Sequence, residues 1–425
     1  MATTAQNPVR PVSALNDGPD TSSQDIEEGR DVYQPGGFHP VYIGDVYHDK
    51  YKVLNKIGYG VYSTVWLARA LQSSLVYQTD GNAREYVALK FLTAEAYGTE
   101  KDIFEREILK HLKAQDEEQL GYAQICHLVD DFEHKGPNGK HICLVFELMG
   151  ETLRSFGAWF PDSMIPNEVM RRITIQLLLA IHFAHNHNVI HTDIQPSNIF
   201  VKIRDYTLIE SGYLVQEPIP QQDKAEKRYT VIRSRPLRQY YFNDDDRFDQ
   251  FDIVLGDWGV ASWADNHPTE IIQPVALRAP EVLIGAPWDA SADLWNLGAV
   301  VLEIFRAIRM FSGDYPAGHY KLEQHLAEIA HLCGPFPKAL LDKTNQDIVG
   351  VIFDDQGKVK NVQLSPDRPD LSSEEYTLGL EQDDREEFLF FLQSLMKIDP
   401  LERPSPEDLL RGRWLYALPS LLSCS

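Results

Sequence analysis

The hydrophobic pattern of this chain changes character near residue 150. From Tyr51 to about Phe146, short β-type apolar runs dominate, Val87-Ala88-Leu89 among them. One helical stretch interrupts them. Ile103, Phe104, Ile108, Leu109 and Leu112 form an apolar stripe that predicts an amphipathic helix from Ile103 to Leu112. From Glu151 onward the period turns helical, beginning with Ile173, Leu177, Leu178 and Ile181. The run Ile199-Phe200-Val201 precedes an insertion of about 45 residues with mixed charge and no period, and loops of this length are uncommon in compact domains. Residues 1–32 are rich in Ser, Thr, Asp, Gln and Pro with few aromatics and read as disordered. The pattern predicts an α+β, bilobal chain. Residues 33–149 form the small β-rich lobe with its hinge, 150–416 the larger mainly helical lobe with an insertion at 204–250, and 417–425 a tail.

Composition narrows the function classes. Of 425 residues, 43% are hydrophobic and 11% aromatic, enough for a large buried core. Lys and Arg total 40 against 63 Asp and Glu, a net charge of −23 that repels nucleic acid and favours encounter with basic partners. No apolar run approaches the roughly 18 residues of a membrane span. Met1 to Arg30 has no signal-peptide apolar core, and the four cysteines lack C-x-x-C spacing, so the expectation is a reducing compartment, cytoplasm or nucleus. His182, His185, His187 and His191 have no Cys or acidic ligand at metal spacing, and a metal reading is set aside. Within the insertion, Ile232-Arg233-Ser234-Arg235-Pro236-Leu237-Arg238 is a basic island. It reads first as a solvated loop, and alternatively as a segment that docks on, or is phosphorylated by, its own chain.

The chemistry concentrates in His191-Thr192-Asp193-Ile194-Gln195-Pro196-Ser197-Asn198. An aspartate and an asparagine five positions apart on one loop suit phosphoryl transfer. The carboxylate accepts the proton of an attacking hydroxyl, and the amide oxygen holds a cation on the phosphates. Upstream, Ile57-Gly58-Tyr59-Gly60-Val61-Tyr62-Ser63-Thr64-Val65 is a glycine turn between β runs, open to close approach by phosphates. It is followed by Val87-Ala88-Leu89-Lys90. A lysine gripping phosphates needs a carboxylate to hold it. Glu107 is the expected partner and Glu105 the competitor. Downstream are Gly256-Asp257-Trp258-Gly259, Ala279-Pro280-Glu281, Asp293-Leu294-Trp295 and Arg403, which is placed to pair with Glu281.

In this order the elements resemble those of the protein kinases: H-R-D-L-x-x-x-N, G-x-G-x-x-G, V-A-I-K, D-F-G and A-P-E. Gly36-Gly37-Phe38-His39-Pro40-Val41, Ile43-Gly44-Asp45, Ser63-Thr64-Val65-Trp66-Leu67-Ala68 and His191-Thr192-Asp193-Ile194 look further like the SR-protein kinases, which phosphorylate arginine–serine repeats. The insertion stands where that family carries its spacer. The resemblance spans roughly residues 36–416 and implies a serine/threonine protein kinase acting on basic protein substrates with ATP and Mg2+, as a monomer. By this carry-over Asp193 is the base, and Lys90 with Glu107 grips the α- and β-phosphates. Ile57, Gly58, Tyr59, Gly60, Val65 and Ala88 line the nucleotide. Glu147 and Met149 meet the adenine through their backbone, and Asn198 and Asp257 hold the metal.

Three departures matter. Ser63 replaces the third glycine and Trp258 the phenylalanine. Gln195 stands where serine/threonine kinases carry a lysine that neutralises the transferring phosphate, though glutamine can still donate a hydrogen bond. The alternatives are therefore a pseudokinase, and a small-molecule phosphotransferase of kinase-like fold. Ala279-Pro280-Glu281 argues against the latter. Thr192 replaces an arginine that receives an activation-segment phosphate in many kinases, which predicts activity without that phosphate. The helix expected to present acids to a basic substrate, Lys321 to Leu332, carries Gln324 and His331 at two of those positions, with Glu323 and Glu328 nearby.

Overall fold

The computed structural model describes residues 27–71, 76–77, 83–97, 103–217, 219–220, 222, 229–242, 250–306, 311, 320–365, 368–371, 373, 376–377 and 379–415. These residues divide into two compact units. The first draws on Met1–Gln115, Cys126–Thr152 and Phe200–Arg247, the second on Asp116–Ile125, Leu153–Ile199 and Phe248–Ser425.

The first unit is built on an antiparallel sheet. Its strands are β1 (Val46–Tyr47), β2 (Tyr51–Gly60), β3 (Ser63–Ala70), β4 (Tyr86–Leu92), β5 (Leu128–Gly136) and β6 (Gly139–Glu147), in the spatial order β1-β2-β3-β4-β6-β5. Side chains alternate between the faces of a strand. Trp66, Ala68 and Ala70 of β3 therefore join Val87, Leu89 and Phe91 of β4 and Cys143 and Val145 of β6 in one buried cluster. Ala88 and Lys90 fall on the opposite face of β4. Helix α1 (Glu105–Lys113) buries Glu105, Ile108, Leu109 and Leu112. It starts two residues later than the stripe predicts, and Ile103 and Phe104 are only half-buried ahead of it.

Two expectations are corrected here. The basic island is not a solvated loop, and the insertion does not belong to the C-terminal unit. Ile232 is a member of the sheet's buried cluster, the Arg235 amide donates to the Lys56 carbonyl at 2.8 Å, and the Tyr229 hydroxyl donates to the Val41 carbonyl at 2.9 Å. An apolar side chain every few residues ties this segment to the first unit, as its self-docking alternative foresees. The N-terminal segment also differs from expectation. Residues 1–26 lie outside the described residues, but Glu27 and Glu28 pair with Lys56, and the Phe38 amide donates to the Val32 carbonyl at 3.0 Å. The predicted tail 417–425 lies outside the described residues.

The second unit is helical. Helix α2 (Asn167–Asn186) buries Ile173, Leu177, Leu178 and Ile181 as the period predicts. Helices α3 (Ser291–Arg306), α4 (Leu322–Cys333) and α5 (Gln382–Leu395) follow, with the catalytic-type loop between α2 and strand Ile199–Lys202. Among the described residues no helix is long and apolar enough to cross a membrane.

Candidate active site

The first unit carries the glycine turn and Lys90. Gly58 and Gly60 lie near the β2–β3 turn, Gly58 opposite Val65 and Gly60 opposite Ser63. Neither has a positive φ, and a Cβ at either would meet nothing nearer than 3.6 Å. Among the described residues nothing therefore demands glycine at either position. Lys90 Nζ reaches Glu105 Oε1 at 2.6 Å, with 13% and 1% of the two side chains exposed. This overturns the expected partner. Glu107 points outward, accepting from the Tyr97 hydroxyl at 3.0 Å. The reason lies in helix geometry: Glu105 is three, four and seven residues ahead of the buried Ile108, Leu109 and Leu112, whereas Glu107 falls on the other face. That spacing was present in the sequence.

The segment at Glu147 gains a partner that no motif announced. The Tyr206 hydroxyl, from the start of the insertion, is 3.0 Å from Glu147 Oε1 and 3.1 Å from the Leu148 carbonyl. Met149 follows in a short strand, Met149–Thr152, that pairs with Phe200 and Lys202. At Gly150 a Cβ would lie 2.6 Å from the Tyr241 ring, so only glycine admits that ring, whose hydroxyl donates to Glu151 at 2.6 Å. Beside these elements is Cys126, a buried thiol pushed up to about 12 chiefly by burial; it is a packing residue, not a nucleophile.

The second unit carries the loop with Asp193. Its carboxylate is held by two side-chain amides. Gln195 Nε2 donates to Oδ1 at 2.8 Å and Oδ2 at 2.9 Å, and Asn198 Nδ2 donates to Oδ2 at 2.8 Å. Burial pushes the Asp193 carboxyl up, against the lowering effect of His191 and of these amides. A carboxylate has about four lone-pair sites, so capacity remains to accept a proton. Asp293 fixes the backbone beneath it, accepting from the His191 and Thr192 amides at 2.9 Å each and bonding His185 Nε2 at 2.9 Å. Burial pushes that carboxyl up, but the His185 bond and the neighbouring imidazoles outweigh it and hold it below the usual range. These contacts carry Thr192 at a φ of 64°, a strained conformation for a β-branched residue. The Thr192 hydroxyl donates to the Val260 carbonyl at 2.7 Å. A neutral bond thus ties Thr192 to the segment that follows Trp258.

His191 Nε2 lies 3.0 Å from the Gly256 carbonyl, and its ring packs on the buried Trp258 at 4.6 Å between centroids. Trp258 thus fills the apolar position a phenylalanine would occupy. Asp257 is exposed at a φ of 58°. With Asn198 Nδ2 turned to Asp193, its amide oxygen faces away, and the Gly256 amide donates to the Asn198 carbonyl at 2.9 Å. Asn198 and Asp257 offer the hard oxygen donors that suit Mg2+, which takes few protein ligands and keeps waters and phosphate oxygens. Among the described residues no group of three His, Cys, Asp or Glu could hold a metal by itself. Farther along, Arg403 Nη1 and Nη2 meet both Glu281 oxygens at 2.7 Å, both side chains fully buried. Glu328 of α4 is also buried, and it pairs internally with Arg368 at 3.0 Å, while Glu323 is exposed.

Comparisons with known proteins agree with this arrangement. The model of the protein kinase domain matches residues 51–209 and 241–415 and passes over much of the insertion. A serine/threonine protein kinase of Aspergillus fumigatus is 32% identical over 93% of this chain and 92% of its own. The serine/threonine-protein kinase SRPK of Physarum polycephalum is 28% identical over 93% of each. The human SRSF protein kinase 3 is 23% identical over 95% of this chain and 93% of its own. A crystal structure of a kinase domain superposes with a TM-score of 0.63 at 21% identity, covering 88% of this chain and 98% of that one, and it shows the fold alone. Asp193, the Lys90–Glu105 pair and the ordered motifs fall inside the matched region. The chain belongs to the protein kinase family, as a serine/threonine protein kinase and a divergent member similar to the SR-protein kinases.

Proposed function

We propose that this chain transfers the γ-phosphate of ATP, with Mg2+, to serines in basic, arginine–serine-containing proteins of the cytoplasm or nucleus. It does so as a monomer and without phosphorylation of its activation segment. The observation that carries the catalytic part is the Asp193 carboxylate, oriented by the Gln195 and Asn198 amides. Asp193 takes the proton of the substrate hydroxyl. Lys90, held by Glu105, binds the α- and β-phosphates. Asn198 and Asp257 would hold Mg2+, which when bound offsets phosphate charge.

The sequence position of Gln195 does not leave it idle. Its amide turns toward the base instead of presenting a charge to the transferring group. The expected cost is in rate, not in the ability to react. The basic-substrate preference is supported by the net charge of −23 and by kinship with proteins named for SR factors. The burial of Glu328 weighs against the α4 acids as the means, leaving Glu323 as the exposed acid of that helix.

The test is Mg2+-dependent transfer to an arginine–serine repeat peptide, beside a generic basic peptide and an Asp193→Asn control. Preference for the repeat peptide, lost in the control, supports the reading. Equal use of both peptides removes the substrate preference. ATP binding with no transfer above the control moves the assignment to a pseudokinase.

A further inference from the structure

A buried cation lies at the foot of the phosphate loop. Lys56 directly precedes Ile57 on β2, and its side chain is 0% exposed. Nζ meets Glu27 Oε2 at 2.8 Å and also pairs with Glu28, and it lies 5.2 Å from the centroid of the Tyr59 ring. Tyr59 is the residue between the two loop glycines. Glu27 is itself held from the other side, accepting from the backbone N–H of Ser234 and from its hydroxyl at 3.0 Å. The adjacent Arg235 amide donates to the Lys56 carbonyl at 2.8 Å. Two segments remote in sequence, the N-terminal segment and the insertion, thus converge on one ammonium group. That group in turn meets the aromatic ring of the phosphate loop.

The energetics give this chain of contacts a direction. A fully buried ammonium persists only while carboxylates neutralise it. Removing Glu27 and Glu28 would force Lys56 outward, toward water, and its attraction to the face of Tyr59 would go with it. Tyr59 is 44% exposed, so the contact with Lys56 acts on a ring at the surface of the loop. The glycines on either side leave the loop few constraints of its own.

We propose that Glu27, Glu28 and Lys56 are positioning residues for nucleotide binding: the carboxylates hold Lys56, and Lys56 holds Tyr59 and the phosphate loop in the conformation that receives ATP. The proposal rests on the nucleotide-binding role of Gly58 and Gly60 and extends it to a segment outside the kinase motifs.

The experiment uses the full chain in five forms: unchanged, Glu27→Gln with Glu28→Gln, Lys56→Met, the three changes together, and Tyr59→Leu. Mg·ADP affinity is measured by calorimetry, beside the thermal midpoint and the kcat and KM for ATP. Neutralising the acid pair is expected to weaken Mg·ADP about tenfold, the scale of a lost desolvated cation–π contact, and to lower the midpoint. Adding Lys56→Met removes the buried charge, so the midpoint recovers while the weakened affinity persists. Tyr59→Leu weakens affinity similarly, and the acid-pair change adds nothing to it. Affinity that recovers together with the midpoint in the triple variant would overturn the proposal, since the clasp would then be structural only. Affinity within about twofold of wild type in every variant would do the same. If the acid-pair form does not fold, the triple variant and Tyr59→Leu decide alone, each expected to weaken Mg·ADP at a midpoint close to that of the unchanged chain. An unchanged chain that binds no Mg·ADP would overturn the nucleotide reading first.

Discussion

Replacing Glu105 by glutamine should disable this enzyme where the same change at Glu107 should not. Glu105 is 1% exposed and its carboxylate is 2.6 Å from Lys90 Nζ, itself only 13% exposed. Neutralising one partner of a buried pair leaves the other charge uncompensated, which costs about 3–5 kcal/mol. Glutamine keeps a hydrogen-bond acceptor, so the lower end applies. If most of that cost is met by Lys90 leaving its position, transition-state stabilisation falls by about 2–3 kcal/mol, or roughly 30- to 150-fold in kcat/KM. Glu107 accepts one hydrogen bond from Tyr97 at an exposed site, where such a contact contributes under about 1 kcal/mol. Steady-state kinetics with varied ATP, alongside thermal midpoints, separate the two. A Glu107→Gln variant impaired more than Glu105→Gln would refute the assignment of the pair.

Three further outcomes are expected. Arg403→Ala strands the fully buried Glu281 carboxylate, so thermal or urea unfolding should show a loss of about 3–5 kcal/mol, and a loss below about 1 kcal/mol would contradict the burial argument. Gln195→Lys restores a cation near the transferring phosphate and should raise kcat about tenfold with KM for ATP little changed; a fall in kcat would mean that the Gln195 amide on Asp193 matters more. Stability should fall on acidification because burial, with His134 and His141 nearby, lowers His39 to about 3. Between about pH 6.5 and that value the unfolded chain binds a proton that the folded chain does not. Each unit of acidification therefore costs up to about 1.4 kcal/mol from this residue, and the loss should flatten in His39→Asn.

The parts of the fold read correctly from sequence are those set by local spacing. Helix α2 follows from Ile173, Leu177, Leu178 and Ile181, and β4 places Lys90 opposite Val87 and Leu89 because strands alternate. The catalytic loop was legible because its chemistry needs particular residues at fixed offsets. Glu105 was legible too, through its offsets to Ile108, Leu109 and Leu112, but an early helix start obscured its face. Ile232, Tyr206 and Glu27 were not legible. Each acts through a partner far along the chain: Ile232 through the sheet cluster, Tyr206 through Glu147, and Glu27 through Lys56 and Ser234. No period in the insertion announces such pairings, because an extended segment pinned by isolated anchors leaves no repeat in the sequence.

The docking of Ile232 has a consequence for how the protein is made. Synthesis runs from the N-terminus, and domains generally fold as units while the chain emerges. Here the sheet of the first unit is translated by Glu147, yet the residue that completes its buried cluster follows some eighty positions later, after α2 and the catalytic loop. The first unit therefore cannot close its core in simple order of synthesis. The nascent chain must leave the place of Ile232 in that cluster unfilled while Leu153–Ile199 and the start of the insertion are added. During that interval the apolar gap that Ile232 later fills is a surface a ribosome-associated chaperone would meet.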